Sequence, residues 1–312
     1  MTQTVAMLFT GLVSVGFLND ADGTRMSASQ HSLRPQPQAR CASREGRRGA
    51  SPHLAPSQNR LLAALPLEDF SRLLPHLEPV PLPAGATVYG PGDRHRHLYF
   101  VTAGIVSQLH VMRDGASAEF AVTGREGVVG IASFLGGDSM PARALVLSPG
   151  YAYRLAAAAL TREFDRGGAL ALILLRYTEA LITQMAQTVV CNRHHSLHQQ
   201  LCRWILLCLD RLPSNEIAMT QELIADMLGV RREGVTEAAG RLQKAGLIHY
   251  SRGHIAVIDR PGLEAQVCEC YAVVKREYDR LLRPAAAAGG AGSGRRAAPV
   301  PYGWAHIPPA LN

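Results

Sequence analysis

The chain has 312 residues, 47% of them hydrophobic and 18% charged, with a formal net charge of +7. That length accommodates two domains with sizeable cores, and the composition is that of an ordinary soluble protein. Cys41, Cys191, Cys202, Cys208, Cys268 and Cys270 are too sparse for a disulfide scaffold and point to a reducing compartment. A basic balance suits a polyanionic partner. Much of the excess, however, sits near the N-terminus, where Arg25, Arg34, Arg40, Arg44, Arg47 and Arg48 face only Asp20, Asp22 and Glu45. From Glu216 to Arg260, six Lys/Arg are matched by six Asp/Glu, so charge alone does not argue for nucleic acid there.

Residues 1–55 are rich in Ser, Pro, Gln, Arg and Ala without sustained periodicity and read as a disordered leader. Within it, Val5–Leu18 is apolar, but no Lys or Arg precedes it, no A-x-A site follows, and it is too short to span a bilayer. Signal peptide and membrane helix are both rejected, which leaves a cytoplasmic chain with no membrane partner. Met26 is an alternative start to Met1. At Asn59–Leu77 the apolar spacing is helical, with a break near Pro66. From Glu78 to Leu155, runs such as HLYFVTAG and GIVSQLHV are punctuated by glycines, which predicts regularly spaced short strands in a sandwich or small roll.

Thr161–Val190 is expected to be helical. Leu170, Leu174, Tyr177, Leu181 and Thr188, with Met185 nearby, fall close to the 3–4 spacing of a coiled-coil seam. That spacing predicts a homodimer paired along Leu170–Val190; the alternative is a helix buried within one subunit. CNRHHSLHQQLC comes next. On one continuous helix Cys191, His195, His198 and Cys202 share a side, and such nitrogen and sulfur donors suit zinc or copper. Ser196 as an N-cap for LHQQLCRWILLCLDRL instead breaks the helix near Asn192–Ser196 and scatters the set.

Gln221–Gly240 reads as two short helices joined by a tight turn. Thr220 is placed to cap the first, Gln221–Leu228, with Leu223 where a full capping box has Glu or Gln. Gly229 ends it where a positive φ is cheap, and the second begins at Arg231. Leu223, Ile224, Met227, Leu228, Val230, Val235, Ala238 and Leu242 give each helix one buried side, and Ala225 is small where the two cross. The second helix presents Arg232, Glu233, Thr236, Glu237 and Arg241 on one face, flanked by Arg231, Thr220 and Arg252. Those donors and acceptors suit a DNA major groove, so double-stranded DNA is the expected partner; a hairpin with a solvated polar face is the alternative. Gly246 is the expected C′ residue, and His249–Asp259 alternates around Arg252-Gly253 as a two-stranded wing. Pro261–Leu282 reads as one more helix. Cys268 and Cys270, at i and i+2 on it, are expected to point to different sides and so not to share a metal or a disulfide. Pro284–Asn312 is a low-complexity tail.

A helix-turn-helix followed by GLIHYSRGHIAVID resembles the DNA-binding domain of Crp/Fnr-type bacterial transcription regulators. The turn Pro91–Asp93 followed by LYFVTAG resembles the cyclic-nucleotide-binding roll of the same family, and the likeness reaches upstream to about Arg60. It implies an α+β chain with a jelly-roll-like β-roll sensor (56–160), a long dimerisation helix (161–192), a winged helix-turn-helix (193–260) and a C-terminal helix (261–283). It also implies a homodimer on a palindromic site, with RNA polymerase as a further partner.

In the family's cyclic-AMP binders a G-E-L segment supplies a glutamate for the ribose hydroxyl, and an R-S pair holds the phosphate. Here the first segment reads Gly130-Ile131-Ala132, and the pair falls on Pro141-Ala142, or on Arg143-Ala144 with a two-residue insertion. Ile131 lacks the hydroxyl acceptor while Arg143 keeps an anion donor, so cyclic AMP is not the expected effector. The family's iron–sulfur sensors need several N-terminal thiolates, and only Cys41 lies there. His95, His97 and His110 read as surface residues rather than haem ligands, so no cofactor is expected. Arg232-Glu233 match the family's R-E pair. By that likeness Arg232 donates to guanine O6/N7 and Glu233 accepts from a cytosine amine, while the family's second arginine, one turn on, is here Glu237. The alternative function is a metal- or redox-sensing regulator built on the Cys191, His195, His198 and Cys202 hinge. No Walker loop, G-x-S-x-G, H-E-x-x-H or dinucleotide fingerprint occurs, and an enzyme is not expected.

Overall fold

The structure is a computed structural model that describes residues 55–137 and 139–282. Residues 1–54 of the expected leader, the whole of the expected tail and the choice between Met1 and Met26 lie outside them. Two short helices, α1 (Arg60–Ala63) and α2 (Leu67–Leu73), flank Pro66 as the sequence predicts. Asn59 fixes them to the adjoining sheet. Its Oδ1 accepts from the N–H groups of Leu61 and Leu62, and its Nδ2 donates to Val101 O (2.9 Å) and Gly127 O (2.8 Å). The buried amide thus uses both donors and both lone pairs, leaving nothing unsatisfied.

Strands β1 (Glu78–Leu82), β2 (Thr87–Tyr89), β3 (His97–Val111), β4 (Ser117–Thr123), β5 (Val128–Val129) and β6 (Arg143–Ala156) form an antiparallel sheet ordered β1-β6-β3-β4. β2 adds to β6 and β5 to β3. The sequence predicts separate short strands, yet HLYFVTAG and GIVSQLHV form one strand of 15 residues. Gly104 bends that strand instead of ending it. A Cβ on Gly104 would lie 2.6 Å from Ser148 O, and one on Gly150 of β6 would lie 2.0 Å from Ala103 O. The two backbones can approach this closely only without side chains, and the β3–β6 register shifts repeatedly between Val101 and Val106. Such bulges curl a long strand pair so that both walls of a roll are built from it. A cluster of Leu82, Tyr89, Val101, Val106, Val129 and Val146 fills one part of the roll, and a larger core continues into the helical half.

The remainder comprises α3 (Ala157–Asp165), α4 (Gly168–His194), α5 (Leu197–Leu209), β7 (Glu216–Ala218), α6 (Gln221–Leu228), α7 (Arg232–Lys244), β8 (Ile248–Ser251), β9 (His254–Val257), α8 (Arg260–Gln266) and α9 (Glu269–Leu281). Ser196 caps α5 in a full capping box with Gln199, at the break the sequence indicates. The helix predicted over Pro261–Leu282 is in fact two, because Val267 and Cys268 are extended between α8 and α9. Helix α9 turns back onto α4. The Tyr278 ring meets that of Tyr177 edge-on at 6.4 Å, and Arg280 pairs with Glu179 at 3.0 Å.

The stripe predicted to be the dimer seam is not on the surface. Leu170, Leu174, Tyr177, Leu181 and Thr188 are all buried within the subunit. Tyr177 donates from Oη to Val128 O (3.0 Å), and Gln184 on the same side donates to Val122 O (3.2 Å). The opposite face exposes Leu172, Leu175, Glu179, Ile182, Ala186 and Val189, in steps of three, four, three, four and three. Both faces of α4 are apolar, so periodicity alone identifies stripes without saying which one faces inward. For the same reason α4 is the one described helix long and apolar enough to cross a membrane, although 39% of its most apolar stretch is buried in the protein.

Roll, α4 and the last third of the chain meet at α5. Just beyond it Arg211 donates to Glu126 Oε1 (2.7 Å), Leu207 O (2.7 Å) and Gln184 Oε1 (3.3 Å), with its guanidinium 5.9 Å from the centre of the Tyr278 ring. Glu119 of β4 is buried at the same junction, amid Ser107 of β3 and Arg203, Trp204, Cys208 and Arg211 from the α5 side. Among the described residues its Oε2 has no hydrogen-bond partner. Burial lifts its pKa to about 7, outweighing the Ser107 hydroxyl and the two guanidinium charges. An unfolded glutamate titrates near about 4.3, so between these values the folded chain holds a proton that the unfolded chain has released. That proton favours the fold at low pH, and the benefit is lost as pH rises through the folded pKa. Urea unfolding from about pH 5 to about pH 8 should therefore show wild-type stability falling relative to Glu119→Gln, which has no proton to lose. Parallel curves for the two proteins would mean that the buried carboxyl ionises without penalty.

Candidate nucleic-acid interface

The helix-turn-helix is fixed by local chemistry. Thr220 Oγ1 accepts from Leu223 N–H at 3.2 Å and caps α6. Gly229 ends that helix at φ 65°, and the N–H of Val230 returns to Ala225 O at 3.1 Å. Ile224, Ala225, Met227, Leu228, Val235, Ala238 and Leu242 are buried, as the apolar pattern requires, with Leu223 and Val230 half-buried. Gly246, at φ 74°, closes α7, its N–H donating to Gln243 O at 3.0 Å. The wing is the predicted β8–β9 hairpin, turning through Arg252 (φ 49°) and Gly253 (φ 80°), both in the left-handed region as a two-residue hairpin demands. Strand β7, pairing with β9, is absent from the sequence expectation; three residues with one buried apolar side chain carry too little pattern.

Thr220, Arg231, Arg232, Glu233, Thr236, Glu237, Arg241 and Arg252 are all exposed. Their mutual contacts are weak ones. Arg232 approaches Glu222 at 3.9 Å and Arg241 pairs with Glu237 at 3.0 Å, each between well-exposed side chains. The Thr236 hydroxyl has two acceptors inside the protein, Gln221 Oε1 at 2.7 Å and Arg232 O at 3.0 Å. Its single proton is engaged, which leaves the oxygen only as an acceptor and the methyl group as an apolar contact surface.

The other side of the motif rests on the roll. Ser117 Oγ donates to Asp226 O (3.2 Å), Ser107 Oγ reaches Met227 Sδ (3.3 Å), and a Cβ on Gly229 would lie 3.2 Å from Ala118 Cβ. The turn before α7 is thus seated on β4, a contact between segments more than 100 residues apart that no local pattern announces.

Of the two residues carried over to the effector pocket, Ile131 is buried in a 3₁₀ turn after β5, in the large apolar core with Phe134. Arg143 begins β6, half-exposed opposite Leu109. The three roll histidines differ from a surface reading in one case: His95 is buried with its ring 4.0 Å from that of Tyr89, and burial lowers its pKa. His97 is half-buried and His110 is exposed, its Nδ1 3.0 Å from Pro141 O.

The hinge donors assemble differently from the sequence expectation. Helix α4 runs through His194, with His195 as its C-cap, so Cys191 and His195 remain one turn apart. The chain then turns at Ser196. His198 pairs with Gln266 Oε1 (2.6 Å), and Cys202 joins the main apolar core, so neither completes the set. Cys268 and Cys270 take their places. Cys268 precedes α9 as its N-cap (φ −73°, ψ 162°), so two-residue spacing does not turn the thiols apart as it would within a helix. The expectation that these two cysteines face different sides is overturned for that reason.

Residues 199–266 match the family described as the Crp-like helix-turn-helix domain, and residues 79–166 match the cyclic nucleotide-binding domain. The global nitrogen regulator of Synechococcus elongatus is 24% identical over 191 residues, spanning 58% of this chain and 86% of that protein. A candidate transcriptional regulator of the Crp/Fnr family from Eubacterium rectale shares the fold with a TM-score of 0.55 at 16% identity, over 66% of this chain and 96% of its own. FixK2 of Bradyrhizobium japonicum does so at 0.53 and 18%, over 62% and 98%. With a cyclic-nucleotide-type roll, a long helix and a Crp-like helix-turn-helix in that order, the chain belongs to the Crp/Fnr family of transcription regulators.

Proposed function

We propose that this family member acts in the cytoplasm as a homodimeric, sequence-specific DNA-binding regulator, engages RNA polymerase at its target sites and has no catalytic activity of its own. The observation that carries this reading is the exposed face of α7, where Arg232, Glu233 and Glu237 face solvent on a helix whose other side is locked into the core. Arg232 donates to guanine and Glu233 accepts from cytosine in the major groove. The Glu237–Arg241 pair, exposed at i, i+4, is worth only about 0.3–0.5 kcal/mol and does not withhold Glu237 from DNA. A carboxylate cannot donate to guanine, so Glu237 shifts the base preferred at its own position.

The second subunit is proposed to pair along Leu172, Leu175, Ile182, Ala186 and Val189 of α4. With Glu179 between Leu175 and Ile182 their spacing follows the 3–4 alternation of a coiled-coil seam, and a partner copy removes the apolar side chains from water. The two-fold axis then sets a palindromic site. In the roll, an effector other than cyclic AMP is proposed, because Ile131 supplies no acceptor for a ribose hydroxyl.

Selection of bound fragments from a random DNA pool should return a palindrome. Arg232→Ala should cost about 1–3 kcal/mol and relax one base pair, and Glu237→Arg should move preference toward guanine at a single position. Identical consensus sites from wild type and Glu237→Arg would defeat the assigned readout. The double change Leu175→Lys with Ile182→Lys should give folded monomers in sedimentation that bind DNA poorly, and a monomeric wild type at micromolar concentration would remove the proposed seam. Calorimetric titration with cyclic AMP should give no isotherm; saturable micromolar binding would show that Ile131 does not occupy the glutamate's place.

A further inference from the structure

Four donor side chains from two distant segments converge where α4 ends. Cys191, His195, Cys268 and Cys270 place one ligand atom each within 4.8 Å of all the others. Cys191 Sγ lies 3.6 Å from Cys268 Sγ, and Cys270 Sγ lies 3.6 Å from His195 Nδ1. A tetrahedral zinc centre with its usual bond lengths has sulfur–sulfur edges of about 3.8 Å and sulfur–nitrogen edges of about 3.5 Å. These two separations match those edges, and all the donor atoms lie within 4.8 Å of one another. Both separations are far longer than a disulfide bond of about 2.05 Å.

The surroundings fit as well. His195 Nε2, the nitrogen turned away from the thiols, lies 3.4 Å from Glu269 Oε2. A carboxylate on the outer nitrogen of a ligating imidazole fixes its tautomer and aims the other nitrogen at the metal. Three thiolates and a neutral imidazole around a divalent ion leave one negative charge, and the buried guanidinium of Arg203 acts on Cys191 from nearby. The three cysteines are buried and His195 nearly so, leaving no room for the open coordination position that a catalytic zinc keeps.

We infer that Cys191, His195, Cys268 and Cys270 form a closed, tetrahedral zinc site that clasps the C-terminal helix α9 to the end of α4. The clasp would hold at the point where the long helix hands over to the DNA-reading half. Alone, three buried cysteines would be small apolar filling. Convergence with an imidazole nitrogen, itself oriented by a carboxylate, is the feature that packing does not require.

The inference does not depend on DNA binding, and its test measures none. Untagged full-length protein, purified without chelator, should carry about one zinc ion per chain by elemental analysis. Cobalt(II) added to the reduced, metal-free protein should give the absorption of a tetrahedral thiolate complex. Cys268→Ser with Cys270→Ser should lower the zinc content to below about a tenth, whereas His198→Gln and Cys202→Ala should leave it unchanged. Stripping the metal should lower the melting temperature of the wild type and not of the double variant. Wild-type protein without zinc that also gives no tetrahedral cobalt spectrum would overturn the site. So would a Cys191–Cys268 disulfide in the native protein by mass spectrometry, or loss of zinc from Cys202→Ala. The cobalt spectrum uses the wild-type chain, so a variant that fails to fold leaves that test intact.

Discussion

The guanidinium of Arg211 joins parts of the chain that are far apart in sequence. Glu126 comes from the turn between β4 and β5, Gln184 from the long helix, Leu207 from the first helix of the DNA-reading half, and Tyr278 from the C-terminal helix; all four contact it. Burying such a charge is tolerable only when its donors and its counter-ion are satisfied together. Here Glu126 Oε1 also accepts from the Gly124 N–H at 3.0 Å. Loss of either partner strands the other charge in the interior, at a cost of about 3–5 kcal/mol. Roll, long helix and reader therefore hold their arrangement through one shared knot. Glu119, Ser107 and the seat of the α6–α7 turn on β4 lie along the same boundary. A ligand in the roll can influence α7 only by interacting differently with two arrangements of this boundary.

Helix α4 carries hydrophobic side chains on two opposite sides. Its inner stripe closes the subunit's own core, and Tyr177 and Gln184 on that side satisfy backbone carbonyls of the roll. Its outer stripe is apolar apart from Glu179, and the hydrophobic side chains there have no cover within the described residues. In the proposed dimer, pairing of two outer stripes removes from water the surface that composition alone would read as membrane-compatible. The apolar character of α4 fits a helix that is core on one side and, in the proposed dimer, contact surface on the other.

Net charge contributes little to the reader, whose basic and acidic residues balance. In the proposed readout, discrimination rests on where individual side chains stand, and the exposed ion pairs of α7 are too weak to dictate that arrangement. The Cys191, His195, Cys268 and Cys270 cluster draws on the end of α4 and the start of α9, and bears on how α9 is held rather than on base contacts.

The helix-turn-helix was legible because its determinants are local: Thr220 and Ser196 cap within three residues, Gly229 ends α6 through its own φ, and apolar periodicity marks each buried side. Residue spacing alone therefore determined the caps, the turn, the wing and which α7 residues face solvent. Tertiary structure decided the rest. The bend at Gly104 depends on Gly150, 46 positions later, so a glycine that reads as a strand end marks instead a close approach between β3 and β6. The inward face of α4 is chosen by β4, β5 and α9, none of which leaves a mark on its own spacing. Cys268 and Cys270 could be placed only once the extended link between α8 and α9 was known, and their meeting with Cys191 and His195 spans more than 70 residues. Sequence rules describe neighbours three or four apart, and chain closure alone determines which distant neighbours meet.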